Sequence, residues 1–238
     1  MKGKSNMDDK QAKNILDKVV GAVFGFQNPF SLDQAMQKFA FDYKLPQQVF
    51  DSVTSEPTWA TSTNPTSFMK LENLRKRSEQ TDWMEPQEPL NSIEDIITAW
   101  SKTRYMTTER QIDSINVGQS DTVYGCENVY RSCDVTNCKN IIFCATVKDS
   151  EYIVAGTRSQ TSSFCIRLED SQLCSNSFNV NWSAKVTNCY FIQDCYDISD
   201  CMFCSHISGK RFCIANMQFS EEEYKRLKEL VIRWVLTS

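Results

Sequence analysis

From Ser114 to near the C-terminus, small and branched side chains alternate every three residues. Written in sixes, the first position reads Ser114, Ser120, Cys126, Ser132, Cys138, Cys144 and Ser150. After a three-residue insertion it resumes as Ser159, Cys165, Ser171, Ser177, Ser183, Cys189, Cys195, Cys201, Ile207 and Cys213. The fourth position is mostly Val or Ile, from Val117, Val123 and Val129 to Ile192 and Ile198. A short fixed period is the signature of a solenoid, in which each unit buries its apolar face only against its neighbours. Asn or Asp often precedes the repeated positions, as at Asn128, Asp134, Asn137, Asn140, Asn188, Asp194, Asp197 and Asp200. These residues tolerate corner backbone angles and bond their own backbone. The pattern predicts a parallel β-helix with very short strands. A coil of twelve residues, with one lengthened to fifteen by the insertion, gathers cysteine into one column; a coil of eighteen mixes the columns. About eight coils stacked at ~4.8 Å make a rod of roughly 40 Å. A right-handed course is expected, because left-handed hexapeptide helices carry a different repeat.

Before the repeat the periodicity is helical. Residues 8–24 place Ile15, Val19, Val20, Val23 and Phe24 on one side. Ser31 with Gln34 is a capping-box pattern ahead of Leu32, Ala35, Met36 and Phe39, and Pro46 closes the region. Residues 1–53 thus form an N-terminal helical segment. Residues 54–91 turn polar, carry Pro57, Pro65, Pro86 and Pro89, and read as an extended arm or linker in which Trp59 and Trp83 could anchor a partner. Within 92–113, Ser92 and Asp95 start a short helix whose Ile93, Ile96, Ile97 and Trp100 share a side, and the chain then enters the solenoid at 114–215. In 216–238, Ser220 caps an amphipathic helix with Glu221, Glu222 and Glu223 in its first turn, suited to closing the rod.

On the solenoid's outside, Ile166, Phe178, Tyr190 and Met202 recur at twelve, with Phe191 and Phe203 beside them; Tyr130, Ile142 and Val154 do the same earlier. A contiguous apolar strip rarely stays exposed. Either the N-terminal helices cover it or it is a subunit interface.

Charge narrows the function classes. The formal net charge is −4 and the pI near 5.2, so no global basic field draws nucleic acid. No stretch is long and apolar enough to span a membrane. The opening MKGKSNMDDKQAKN has no apolar signal core, so secretion is not expected and the eleven cysteines are expected to be reduced.

Those cysteines raise the chemical alternatives. Cys195, Cys201, Cys204 and His206 could hold zinc, although the solenoid reading sends the thiols inward and puts His206 at a corner. Cys133 falls off the repeated columns and is expected to face solvent, with no base or cation to activate it. Ser159–Ser163 reads as a polar loop, and Asp194 and Asp200 as turn formers. The scarcity of glycine and the single histidine argue against hexapeptide acyltransferases and their carbonic-anhydrase relatives.

The run DCYDISDCMFCSHISGKRFCIANMQFSEEEY resembles a group of cysteine-rich hexad-repeat proteins of large tailed phages and uncultured bacteria. Their signature is a string of Cys/Ser hexads, then Lys/Arg-x-Tyr/Phe-Cys-Ile-x-Asn and Ser-x-Glu-Glu-Tyr. The resemblance covers roughly Ser114 to Tyr224. It implies no enzymatic mechanism and no active-site residue. It implies instead a virion protein, assembled in a reducing host cytoplasm, whose partners are other subunits. The expectation is a non-enzymatic structural or assembly protein; the alternative is a metal- or redox-responsive thiol protein.

Overall fold

The structure is a computed structural model and describes residues 6–64 and 67–237. It is mainly β: a parallel solenoid of about nine turns, twelve residues per coil, flanked by helices. Register fixes the period. Val117 lies beside Val129, Val129 beside Ile141, and Ile141 beside Ile153, each one coil apart.

The backbone follows a finer rule than the hexad. Every third residue from Asp113 to Ala215 is left-handed, with φ between 44° and 62°. The residue after each corner points inward, and every third residue from Val117 to Cys204 is buried. A coil is therefore four triplets, each made of an inward residue, an outward residue and a corner. Left-handed backbone costs an ordinary L-residue roughly 1–2 kcal/mol, least for Asn, Asp and Gly. That explains the Asn and Asp noted at Asn128, Asp134, Asn137 and Asn140, all of them corners. Stacked corner side chains recover part of the cost through hydrogen bonds one coil apart. Asn116 donates to Asn128 and Asn128 to Asn140, both at 2.8 Å, and Asn137 donates to Asp149 at 3.1 Å.

One expectation is overturned. There is no three-residue insertion: Val147 pairs with Ser159, and Lys139 with Glu151, which pairs with Ser163. Ser159 thus continues the column of Val123, Val135 and Val147, not that of Ser150. What changes is the phase of the core. In the early coils two opposite sides carry Ser or Cys and the other two Val or Ile. After Ser159 the pattern has rotated by one side. Cys165, Ser177, Cys189 and Cys201 stack on Ile153, while Leu168, Val180 and Ile192 stack on Gly156. The cysteines consequently share no single column. Gly156 sits at the junction, where a Cβ would come 2.8 Å from Ile153 Cγ2 and 3.1 Å from Val147 Cγ2.

α1 (Asp9–Phe24) lies along one side of the rod. It opens with a capping box between Asp8 and Gln11 and ends at Gly25 in the left-handed region. Asp9 accepts from Tyr130 Oη at 2.5 Å, and the Val23 carbonyl accepts from Tyr190 Oη at 2.6 Å. Tyr130 and Tyr190 are five coils apart, or ~24 Å at ordinary strand spacing. Helical rise from Asp9 to Val23 is ~21 Å, so helix and rod run nearly in register. Gly118 leaves room for the chain entering α1, since a Cβ there would meet the Met7 carbonyl at 2.2 Å.

α2 (Leu32–Phe39) packs next to α1, with Phe39 5.8 Å from Phe178 between ring centres. Within 54–91 the chain is not extended throughout: two short strands and a helix lie between Pro57 and Gln80, while 81–91 carry no helix or strand. β1 (Gln47–Phe50) pairs antiparallel with β2 (Pro57–Ala60). β3 (Phe68–Lys70) leads into α3 (Leu71–Gln80) and pairs in parallel with β4 (Met106–Thr108), which follows α4 (Ile93–Ser101). Buried polar groups hold this unit. The Asp51 carboxylate accepts from the amides of Val53, Thr54 and Lys70 at 2.8, 2.9 and 2.6 Å. Thr58 shares a 2.7 Å hydrogen bond with Thr108. Thr61 and a bidentate Arg110 meet Asp121 at the first coil. Pro65 and Thr66 lie outside the described residues.

α5 (Glu221–Thr237) does more than close the end. Tyr224 meets Phe212, Lys228 lies over Tyr190, and Trp234 meets Phe191, so the helix runs back along the rod's side. The last coil is finished by an antiparallel pair, Cys213–Ile214 with Met217–Gln218.

Candidate functional site

All eleven cysteines are free and buried. Together with the inward serines, most of them serve one purpose that their size alone does not reveal. Each such side chain donates to the carbonyl two residues earlier and, in most coils, accepts the amide of the inward residue one coil later. Ser132 Oγ donates to Tyr130 O at 2.9 Å and accepts Cys144 N–H at 3.0 Å. Cys126 Sγ reaches Tyr124 O at 3.2 Å and accepts Cys138 N–H at 3.2 Å. Serine and cysteine interchange because each offers a small donor and an acceptor on one atom. The signal was present in the sequence: from Ser114 to Ile153 the inward positions alternate strictly between Ser or Cys and Val or Ile.

Thiols used in this way are poor nucleophiles. Burial pushes Cys144 and Cys174 up to about 12. Cys133, expected at the surface, lies beneath the chain that follows α2; its sulfur contacts Lys44 O at 3.5 Å and burial raises it to about 12. In the stacked pair Cys126 and Cys138, a shared hydrogen bond draws Cys126 down to about 7 and pushes Cys138 up, so one ionises at the other's expense. Cys126 Sγ nevertheless faces the Tyr124 and Val135 carbonyls at 3.2 and 3.5 Å, which favour a protonated sulfur.

Cys195, Cys201 and Cys204 occupy three different sides of the coil, all inward. His206 stands on an exposed corner, with Nδ1 3.8 Å from Asp194. Among the described residues no group of three or more His, Cys, Asp or Glu is placed to hold a metal ion. Asp194 and Asp200 are left-handed corner residues, and Asp200 pairs with Arg211 at 3.0 Å. Ser159 and Ser162 point into the core, so Ser159–Ser163 is not a loop.

The interface candidates also have definite places. Ile166, Phe178, Tyr190 and Met202 do stack in register, and the same column includes Tyr130, Ile142 and Val154. It is covered by α1 and α5, with Phe24 5.2 Å from Phe178, so this strip is core rather than free surface. Phe191 and Phe203 stack at 4.6 Å beneath the end of α5, Phe203 remaining partly exposed. Trp59 is half-buried in β2. Trp83 is pinned by Ser78, which accepts its Nε1–H at 2.8 Å, and by Arg77 over its ring.

The unpartnered apolar surface is elsewhere. On α4, Ile93, Ile96, Ile97 and Trp100 are 60, 49, 55 and 53 % exposed. The helix has a complete capping box, Ser92 accepting from Asp95 N–H and Asp95 from Ser92 N–H, but no residue of it is buried. The sequence revealed this shared side; only the fold reveals that none of the described residues covers it.

Among the described residues no helix is long and apolar enough to cross a membrane. In comparisons with known proteins, no family model matches the chain and no curated protein is detectably similar.

Proposed function

We propose that this is a non-enzymatic structural or assembly protein, a tailed-phage virion component in which a stiff solenoid presents a docking helix to neighbouring subunits. The observation that carries this reading is α4, whose exposed Ile93, Ile96, Ile97 and Trp100 are held outside the core by a well-capped helix. A helix of this length is marginal alone in water, and an apolar face of this kind is stabilised by docking. The closed solenoid supports the same reading, because its thiols and hydroxyls are consumed as rungs between coils. Free thiols suit assembly in a reducing cytoplasm. The virion assignment itself is supported by the resemblance of the C-terminal run. Mass-spectrometric composition of particles purified from the native source tests it. The chain is expected to co-fractionate with particle proteins at a fixed ratio; a free monomer that joins no assembly overturns the proposal.

A further inference from the structure

We infer that the partner of α4 is α4 of a second copy of this chain, packed antiparallel about a two-fold axis. This rests on the assembly reading and names the occupant of its docking helix. Charges placed around the apolar face select this partner.

At the N-terminal end, Asp95 is committed to the amides of Asn91 and Ser92. Glu94 has no ion-pair or hydrogen-bond partner among the described residues. At the C-terminal end, Lys102 is held by Glu88 at 2.8 Å. Arg104 has no carboxylate partner among the described residues, and its guanidinium rests 4.2 Å from the centre of the Trp100 ring. Its charge is therefore level with Trp100, not with its own backbone. One unpaired anion and one unpaired cation thus flank opposite ends of a single apolar patch.

A two-fold axis between Ile96 and Ile97 satisfies both charges at once. Glu94 lies ~4 Å along the helix on one side of that axis and Trp100 ~5 Å on the other. Each Glu94 then comes beside the Arg104 that covers the other copy's Trp100. Ile93 meets Trp100, while Ile96 and Ile97 meet their own equivalents, as an isologous contact requires. Antiparallel helix dipoles add to the attraction, whereas a parallel pair would oppose Glu94 to Glu94. Acidic residues at one end of the patch disfavour an anionic lipid surface as the occupant. Four apolar side chains per copy fall short of a standard interface, so the contact is weak and reversible, and gains strength where several copies are held together.

Sedimentation velocity of the full chain over a concentration series tests the pairing. The natural chain is expected to self-associate reversibly. Glu94→Arg and Arg104→Glu are each expected to weaken association by about tenfold or more, because each creates two symmetric repulsions. The double variant, with the charges exchanged, is expected to restore it. Circular dichroism should be unchanged throughout, since no residue of α4 is buried. A chain that stays monomeric at every concentration, association that the single variants leave intact, or a double variant that does not recover would each overturn the inference. Particle incorporation by a chain whose self-association the single variants leave intact would overturn the α4 pairing and leave the assembly role standing; charge-dependent self-association without any particle would do the reverse.

Discussion

Replacing Ser132 probes the hydroxyl and thiol rungs directly. The residue is fully buried, donates to Tyr130 O and accepts the Cys144 amide. In Ser132→Ala the Tyr130 carbonyl keeps the Phe143 amide at 3.1 Å, so the group left without its acceptor is Cys144 N–H. An orphaned buried donor costs about 1–3 kcal/mol. For a chain of this size that lowers Tm by roughly 2–12 °C. Ser132→Cys should cost less than about 1 kcal/mol, because thiols already accept the equivalent amide at Cys126 and Cys144, at 3.2 and 3.1 Å. Ser132→Val, which cannot accept, should behave as badly as alanine despite matching the branched residues of the adjacent columns. Thermal melts followed by circular dichroism give the global cost. Amide exchange of the peptide containing Cys144 gives the local one, with faster exchange expected in the alanine and valine variants alone. An alanine variant as stable as the natural chain, with the Cys144 amide equally protected, would show that these side chains are mere fillers.

Gly156→Ala is expected to destabilise by about 1–3 kcal/mol through overpacking against Ile153 and Val147, and a urea midpoint unchanged by the substitution would contradict the phase rotation placed there. Alkaline pH should unfold the protein early. Cys133, Cys144 and Cys174 are raised to about 12, so above the ordinary thiol range the unfolded chain releases protons that the folded chain retains. Stability is complete below about pH 8.5 and falls above it by about 1.4 kcal/mol per pH unit for each such thiol; urea melts from pH 8 to 10 that superimpose would refute this. Protein purified without chelator should contain no stoichiometric zinc and should keep its melting curve in EDTA; one zinc per chain, with loss of fold on removal, would restore the site at Cys195, Cys201, Cys204 and His206.

The helical segments were legible because capping boxes and apolar spacing are local. Ser31 with Gln34 and Ser92 with Asp95 close as such patterns require. The end of the helical segment of 1–53 and part of the polar region of 54–91 were misread for the converse reason. Asp51, Thr58 and Asp121 look like surface residues until the chain brings the Lys70 amide, Thr108 and Arg110 to them. The apparent insertion near Ser159 was misread because a rotated core and a slipped register leave the same trace in a string of letters.

The alternation of small and branched residues determined by itself that a side chain turns inward every third residue of a solenoid; the twelve-residue coil was decided by the strand register, because a period of six divides twelve and eighteen alike. The sequence also determined that Asn and Asp would sit at corners, where left-handed backbone is least costly. Which surfaces are covered was decided only in three dimensions. The column through Tyr190 and the side of α4 carry the same kind of apolar residues, but a helix that matches the rod's length buries the first, and none among the described residues reaches the second. Burial is a property of what lies across the gap, and the sequence of one side does not encode the distance to the other.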